Sequence, residues 1–98
     1  MSAQETVLVV DDEKVIRDGC DRILSPEGFQ VLTAENGQDA MEVLDRQPTN
    51  VILCDLKMPV MGALEVLEQV GQRYPDIPVI IITGHGTVES AVDCMKKG

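Results

Sequence analysis

The chain has 98 residues, 44% of them hydrophobic and 2% aromatic, and a formal net charge of -9 at pH 7. This length allows one domain, residues 1–98, and leaves no room for a second. The acidic charge is spread along the chain, so we expect no direct contact with nucleic acid, and no apolar segment reaches the length of a membrane span. Three cysteines without CxxC spacing, and no leader-like segment, indicate a reduced, cytoplasmic protein.

The first part of the chain alternates between strand and helix patterns. A continuous apolar run over residues 6–10 predicts a strand, and residues 14–24 carry apolar side chains at helical spacing. The segment 26–28, Pro-Glu-Gly, ends this helix, and residues 29–33 alternate as a second strand. The apolar face of the predicted helix consists of Ile16, Cys20, Ile23 and Leu24.

The second part of the chain repeats the same alternation. Asn36-Gly37 is a turn signal, after which Ala40, Met41, Val43 and Leu44 predict a second helix. Residues 51–54 and 79–82 are apolar runs that predict the third and fourth strands, and Thr87 is a suitable N-cap for a last helix. The apolar stripe predicted for the third helix consists of Leu64, Leu67 and Val70.

Four βα units in strict alternation predict an α/β fold with a parallel sheet covered by helices on both faces. Right-handed crossovers leave few arrangements, and we expect the flavodoxin-like strand order 2-1-3-4. This order places strands 1 and 3 side by side, and ligands of such sheets bind outside the carboxyl ends of the strands.

Carboxylates follow both of these central strands. Asp11 and Asp12 come directly after residues 6–10, and Asp55 follows residues 51–54. Two carboxylates about 5 Å apart repel by about 3 kcal/mol at the protein surface, so three of them need a cation. An all-oxygen set of ligands suits Mg²⁺ or Mn²⁺, and a carboxylate beside such an ion can act as a nucleophile on phosphorus. Thr83, at the end of the fourth strand, offers a hydroxyl at the same edge.

Each of these residues also has an ordinary structural explanation. Asp12 could cap the first helix, Asp55 could be a loop-entry residue, and Thr83 could simply be a β-branched strand residue. The joint arrangement favours a site, because capping does not explain why all the polar groups end apolar strands at one edge.

Three segments resemble the receiver domain of two-component response regulators: Val-Leu-Val-Val-Asp-Asp-Glu at 7–13, Asp-Leu-Lys-Met-Pro at 55–59, and Ile-Ile-Thr-Gly-His-Gly at 81–86. The third segment looks most like receivers of nitrogen-regulation-type transcription activators. The resemblance implies that Asp55 accepts a phosphoryl group from a phosphohistidine on a histidine kinase or phosphotransfer protein. It implies a signalling switch that can dephosphorylate itself rather than a turnover enzyme.

The resemblance also assigns roles around Asp55. Asp11 and Asp12 would hold Mg²⁺, with Asp12 the more direct ligand, and the backbone carbonyl of Lys57 would complete the protein's share of the coordination. Thr83 would be the switch hydroxyl that moves toward the phosphoryl oxygen. The added negative charge would then rearrange the loop that carries Thr83 and alter the surface of the last helix.

The chain departs from the family pattern in two places. A complete receiver has a fifth strand ending in Lys-Pro and a fifth helix, and neither occurs before Gly98. None of Lys14, Lys57, Lys96 and Lys97 matches the phosphate-pairing position, so we expect metal binding to persist while phosphorylation and output are weakened. The family's Asp-Gly before the third helix is Gly62-Ala63 here, which predicts strain at Ala63 or an earlier turn at Gly62, and a shifted loop beside Asp55.

The absent fifth unit also predicts self-association. Without it, residues 79–82 form a bare apolar edge and much of one sheet face is uncovered. We therefore expect a homo-oligomer that forms through the fourth-strand edge or the uncovered face.

Two other functions are weighed against the receiver. A phosphatase of the haloacid dehalogenase type needs Asp-x-Asp after its first strand, but Glu13 and Lys14 stand two positions after Asp11 and Asp12. A non-signalling scaffold fragment of a receiver, with the acidic site as a remnant, is the nearer alternative.

Overall fold

The computed structural model describes residues 5–55 and 63–82. Strand and helix alternate along the described chain as predicted. The elements are β1 (Thr6–Val10), α1 (Lys14–Leu24), β2 (Gln30–Ala34), α2 (Gly37–Arg46), β3 (Val51–Asp55), α3 (Ala63–Arg73) and β4 (Val79–Ile82). The four strands form one parallel sheet in the order β2-β1-β3-β4, which confirms the predicted flavodoxin-like topology.

The register of the sheet brings the ends of the central strands to the same level. Val10, the last residue of β1, lies opposite Ala34 of β2 and Cys54 of β3. Asp55 extends β3 by one residue and lies opposite Ile82. The segments that follow β1 and β3 therefore leave the sheet side by side.

The core lies on both faces of the sheet, because successive strand side chains point to opposite faces. One cluster contains Val7, Val9, Val51, Leu53 and Ile82 with Cys20 and Leu24 of α1 and with Phe29. The other contains Leu8, Val10, Ala34, Ile52 and Cys54 with Ala40, Met41 and Leu44 of α2 and with Val66 and Val70 of α3. The central strands are thus buried on both sides, which explains their continuous apolar sequences.

The connection from α1 to β2 contains a left-handed glycine. A short 3-10 turn over Ser25–Glu27 follows α1, and Gly28 then adopts a φ of 94°. This agrees with the predicted end of the helix. The second strand begins at Gln30, one residue later than predicted, because Phe29 packs into the core before pairing starts.

The Asn36-Gly37 turn signal is the N-terminus of α2. The Asn36 side-chain oxygen accepts a hydrogen bond of 2.8 Å from the backbone N–H of Asp39, which caps the helix. Gly37 is the first helical residue and is buried.

The predicted apolar stripe of α3 is wrong at two of its three positions. Leu64 and Leu67 are 79% and 37% exposed, whereas Val66 and Val70 are 0% and 2% exposed. With about 3.6 residues per turn, Leu64 lies about 200° around the helix from Val66 and Leu67 about 100° from it. The β-branched pair therefore faces the sheet. Ala63 begins α3, whereas Gly62 and the loop beside Asp55 lie outside the described residues, so the expectations for this turn stay predictions.

The predicted uncovered sheet face is also wrong for the central strands. Val51 and Leu53 are 5% and 0% exposed, since they belong to the same buried cluster as the inner face of α1. Exposure is greater in the two edge strands: residues 79–81 of β4 are half-buried, and residues 30–33 of β2 are half-buried or exposed. Among residues 5–55 and 63–82, no helix has the length and apolar character needed to cross a membrane. Thr87 and the predicted last helix lie outside the described residues.

Candidate functional site

Three carboxylates meet at the carboxyl edge of the sheet. Asp11 and Asp12 follow β1 directly, and Asp55 is the last residue of β3. Carboxylate oxygens of Asp11, Asp12 and Asp55 all lie within 4.8 Å of one another. The parallel pairing of β1 with β3 produces this proximity, because it places the ends of the two strands together.

The three carboxylates differ in burial. Asp11 is only 3% exposed, Asp55 is half-buried and Asp12 is exposed. The backbone of Asp11 is held to the neighbouring strand, because its N–H donates to the carbonyl oxygen of Ala34 over 3.1 Å. Its side-chain Oδ1 accepts a hydrogen bond of 2.9 Å from the backbone N–H of Glu13. The deepest carboxylate of the site is therefore fixed at both its backbone and its side chain.

Burial raises the pKa of Asp11 from 3.8 to about 6. The hydrogen bond from the Glu13 N–H lowers this pKa, but the negative charges of Asp55 and Asp12 raise it further. The pKa of Asp11 is raised because its carboxylate is removed from water and lies beside two other acidic groups. A bound cation would relieve this repulsion, so the donor set fits a divalent metal ion.

Capping of α1 does not explain Asp12. The N-cap residue of α1 is Glu13, whose own side chain makes no capping hydrogen bond. The local side-chain bond comes from Asp11, which accepts from the Glu13 N–H. Asp12 is thus not the cap of α1, and its carboxylate lies in the acidic cluster.

Arg17 belongs to the surroundings of the site, and no sequence prediction included it. Its Nη1 donates a hydrogen bond of 2.9 Å to the backbone carbonyl of Asp11, and its Nη2 lies 3.8 Å from Oε1 of Glu35. Its side chain is 13% exposed. The sequence signal that could have identified Arg17 is a cation at the fourth residue of a helix, where the positive end of the helix dipole disfavours a positive charge.

The two described cysteines are structural. Cys20 and Cys54 are free and buried, and burial raises their pKa values to about 11 and about 12. Both thiols therefore stay protonated at neutral pH and are poor nucleophiles. Cys54 directly precedes Asp55, but its burial in the core accounts for a cysteine at this position.

Two predicted site residues, Lys57 and Thr83, lie outside the described residues. The described part of the site thus consists of the three aspartates and the hydrogen bonds that hold Asp11.

The family model of the response regulator receiver domain matches residues 7–98. The chain belongs to this family. The match covers both strand-end acidic segments and the segment around Thr83, which were the basis of the sequence resemblance. This receiver domain therefore has its family's fold, with the three carboxylates at the carboxyl edge of the sheet.

Curated relatives confirm the likeness to nitrogen-regulation proteins. The receiver domain is 44% identical over 94 residues to an NtrX-like response regulator of Rickettsia bellii, covering 94% of this chain and 20% of that protein. It is 40% identical over 92 residues to the DNA-binding transcriptional regulator NtrC of Escherichia coli K12, covering 94% of this chain and 20% of that protein. The chain thus spans about a fifth of the length of these relatives.

Solved receiver structures share the fold. A response regulator receiver domain protein from Clostridium thermocellum is 31% identical with a TM-score of 0.77, over 96% of this chain and 76% of that one. The response regulator TrrA from Thermotoga maritima, solved in complex with Mg(2+)-BeF, is 31% identical with a TM-score of 0.78, over 89% of this chain and 76% of that one.

Proposed function

We propose that this receiver domain accepts a phosphoryl group on Asp55 at a magnesium site formed with Asp11 and Asp12. The observation that carries the proposal is the convergence of the three carboxylates within 4.8 Å at the ends of two adjacent strands. Receiver domains act in signalling and bind Mg²⁺ at an acidic pocket of this kind.

The donor set supports Mg²⁺ by its chemistry. All three side chains offer hard oxygen ligands, and neither described cysteine lies among them. The solved TrrA complex with Mg(2+)-BeF gives further support, since the TrrA chain and this receiver domain are similar over most of the length of both. We assign Asp12 and Asp55 as direct ligands, Asp11 as the deeper holder of the ion, and the Lys57 backbone carbonyl as the remaining protein ligand. Mn²⁺ is a second candidate, because it also prefers oxygen ligands.

Asp55 is suited to the role of nucleophile. It ends β3 and is half-buried, so the sheet fixes its backbone while its carboxylate faces the cluster. A carboxylate oxygen of Asp55 would attack phosphorus in line with the leaving imidazole of a phosphohistidine. When bound, Mg²⁺ supplies positive charge to the phosphoryl oxygens. Thr83 is proposed as the hydroxyl that hydrogen-bonds to the phosphorylated Asp55.

Receiver domains interact with histidine kinases or phosphotransfer proteins, and we infer such a phosphodonor here. We further infer that residues 1–98 make no direct contact with DNA, because the net charge of -9 opposes phosphate binding. The buried free thiols Cys20 and Cys54 support a reducing, cytoplasmic compartment.

We also infer that the 98-residue polypeptide self-associates through β4. The strand pairs with β3 alone among the described residues, and its apolar residues 79–81 are half-exposed. Light scattering at micromolar concentration should detect a dimer or larger species, and a monomer at all concentrations would contradict this.

Acetyl phosphate labelling tests the phosphoryl-acceptor role. Intact mass should show one added phosphoryl group in the presence of Mg²⁺ and none after chelation. Asp55→Asn should abolish the labelling, whereas Asp76→Asn, which removes the same charge from an exposed turn, should not. The labelling rate of the unaltered protein is compared with that of Asp55→Asn. Equal labelling of Asp55→Asn and the unaltered protein would refute the assignment.

A further inference from the structure

Arg17 connects two loops at the carboxyl edge of the sheet. Its guanidinium donates to the carbonyl oxygen of Asp11 in the loop after β1, over 2.9 Å. The same group lies 3.8 Å from the carboxylate of Glu35 in the loop after β2. A planar guanidinium can reach both partners at once, because its donors are arranged as a rigid fork.

The position of Arg17 is unfavourable for the helix that carries it. Arg17 is the fourth residue of α1, close to the positive end of the helix dipole, and the first turn contains no acidic residue. The side chain is also 13% exposed, so most of its charge is shielded from water. Lys14 begins the same turn but is 77% exposed and pairs with Asp18 over 2.7 Å in solvent. Of these two cations, only Arg17 contacts the loop that carries Asp11 and Asp12.

The contact acts on the backbone between the two metal-site aspartates. The Asp11 carbonyl belongs to the peptide bond that leads to Asp12, so the hydrogen bond from Arg17 fixes the orientation of that peptide plane. The Asp11 N–H is already held by Ala34 on the other side. Together these bonds set the direction in which Asp12 leaves the sheet.

We propose that Arg17 is a positioning residue for the metal site, which holds the Asp11–Asp12 peptide so that both carboxylates face Asp55. The proposal rests on the proposed magnesium site. Arg17 itself touches none of the three carboxylates through the contacts described, and it acts through the backbone and Glu35.

Two effects of Arg17 on metal affinity have opposite signs. Its positive charge repels a divalent cation, so loss of the charge alone would tighten Mg²⁺ binding. Its hydrogen bond orders the ligands, so loss of the bond alone would weaken Mg²⁺ binding. Outer partners of metal ligands typically change affinity by about tenfold to a hundredfold. The positioning role therefore predicts weaker binding in a variant that has lost a positive charge.

Calorimetric titration of Mg²⁺ at neutral pH separates these effects. Arg17→Gln should raise the dissociation constant by about tenfold, the lower end of that range. Lys14→Gln removes the same charge from the same end of α1 and should leave the dissociation constant unchanged or slightly lowered. Arg17→Lys keeps the charge and one donor, so it should recover part of the affinity. An unchanged or lower dissociation constant in Arg17→Gln would overturn the proposal.

Two further measurements keep the result interpretable. Glu35→Gln leaves α1 intact and should raise the dissociation constant by a smaller factor, which covers the case in which Arg17→Gln does not fold. In the metal-free protein, hydrogen exchange of the Glu13 amide reports the bond to Asp11 Oδ1. Arg17→Gln should speed this exchange several-fold while Lys14→Gln does not, and equal exchange would contradict positioning. If the unaltered protein binds no Mg²⁺, the proposed function fails and this exchange still tests Arg17.

Discussion

Replacing Asp11 by Asn should stabilise the metal-free receiver domain above pH 6. The Asp11 carboxyl is 3% exposed, and burial together with the charges of Asp55 and Asp12 raises its pKa from 3.8 to about 6. At about 1.4 kcal/mol per pKa unit, ionising this group in the folded state costs about 2 to 3 kcal/mol more than in the unfolded chain. Asn keeps the size of the side chain and the oxygen that accepts from Glu13.

The sign of the pH dependence follows from proton binding. Between pH 4 and pH 6 the folded protein holds the Asp11 proton more tightly than the unfolded chain does, so the free energy of unfolding falls as the pH rises. The contribution is fully present below about pH 4 and is lost above about pH 6. Asp11→Asn has no such group. The stability of the variant relative to the unaltered protein should therefore increase by about 2 to 3 kcal/mol between pH 4 and pH 7.5.

Urea denaturation in the presence of a chelator, followed by circular dichroism, measures this difference. Asp76→Asn serves as the control, because it removes one charge at an exposed position and should change the free energy of unfolding by less than about 0.5 kcal/mol. A stability difference for Asp11→Asn that stays constant with pH would refute the reasoning. Addition of Mg²⁺ should favour the unaltered protein, because ligand binding stabilises only the form that retains the site.

Two further predictions concern the helices and use the same denaturation assay. Val66→Ala should destabilise the domain by about 2 kcal/mol, because Val66 is fully buried. Leu64→Ala should change the free energy of unfolding by less than about 0.5 kcal/mol, since Leu64 is 79% exposed. A larger loss of stability would mean that the apolar stripe expected from the sequence packs against the sheet. Asn36→Ala should cost about 1 kcal/mol through loss of the α2 cap, while Asn36→Ser, which retains an acceptor, should cost less; equal losses would argue against capping.

The fold could be read from the sequence because each element has its own local signal. The strand over residues 6–10 and the helix over residues 14–24 have the predicted bounds. The handedness of βα crossovers, which depends on chain chirality rather than on particular side chains, left few possible strand orders, and the flavodoxin-like order expected among them is confirmed. Apolar periodicity does not decide which face is buried in a helix that has two possible apolar faces. In α3 the sequence pattern favoured Leu64 and Leu67, but the face toward the sheet is occupied by Val66.

For the candidate site, the sequence by itself determined that Asp11, Asp12 and Asp55 would meet, because they end two strands that the topology makes neighbours. It could not show which of these carboxylates would be buried. That depends on segments distant in the chain. The hydrogen bond from Arg17 to the Asp11 carbonyl is closer in sequence, but it joins the first turn of α1 to the preceding loop, and strand or helix periodicity does not record it. Local patterns record the periodicity of strands and helices, whereas burial and cross-loop hydrogen bonds exist only once the loops after β1 and β2 lie side by side. The tertiary structure alone therefore decided the perturbed pKa of Asp11 and the position of Arg17.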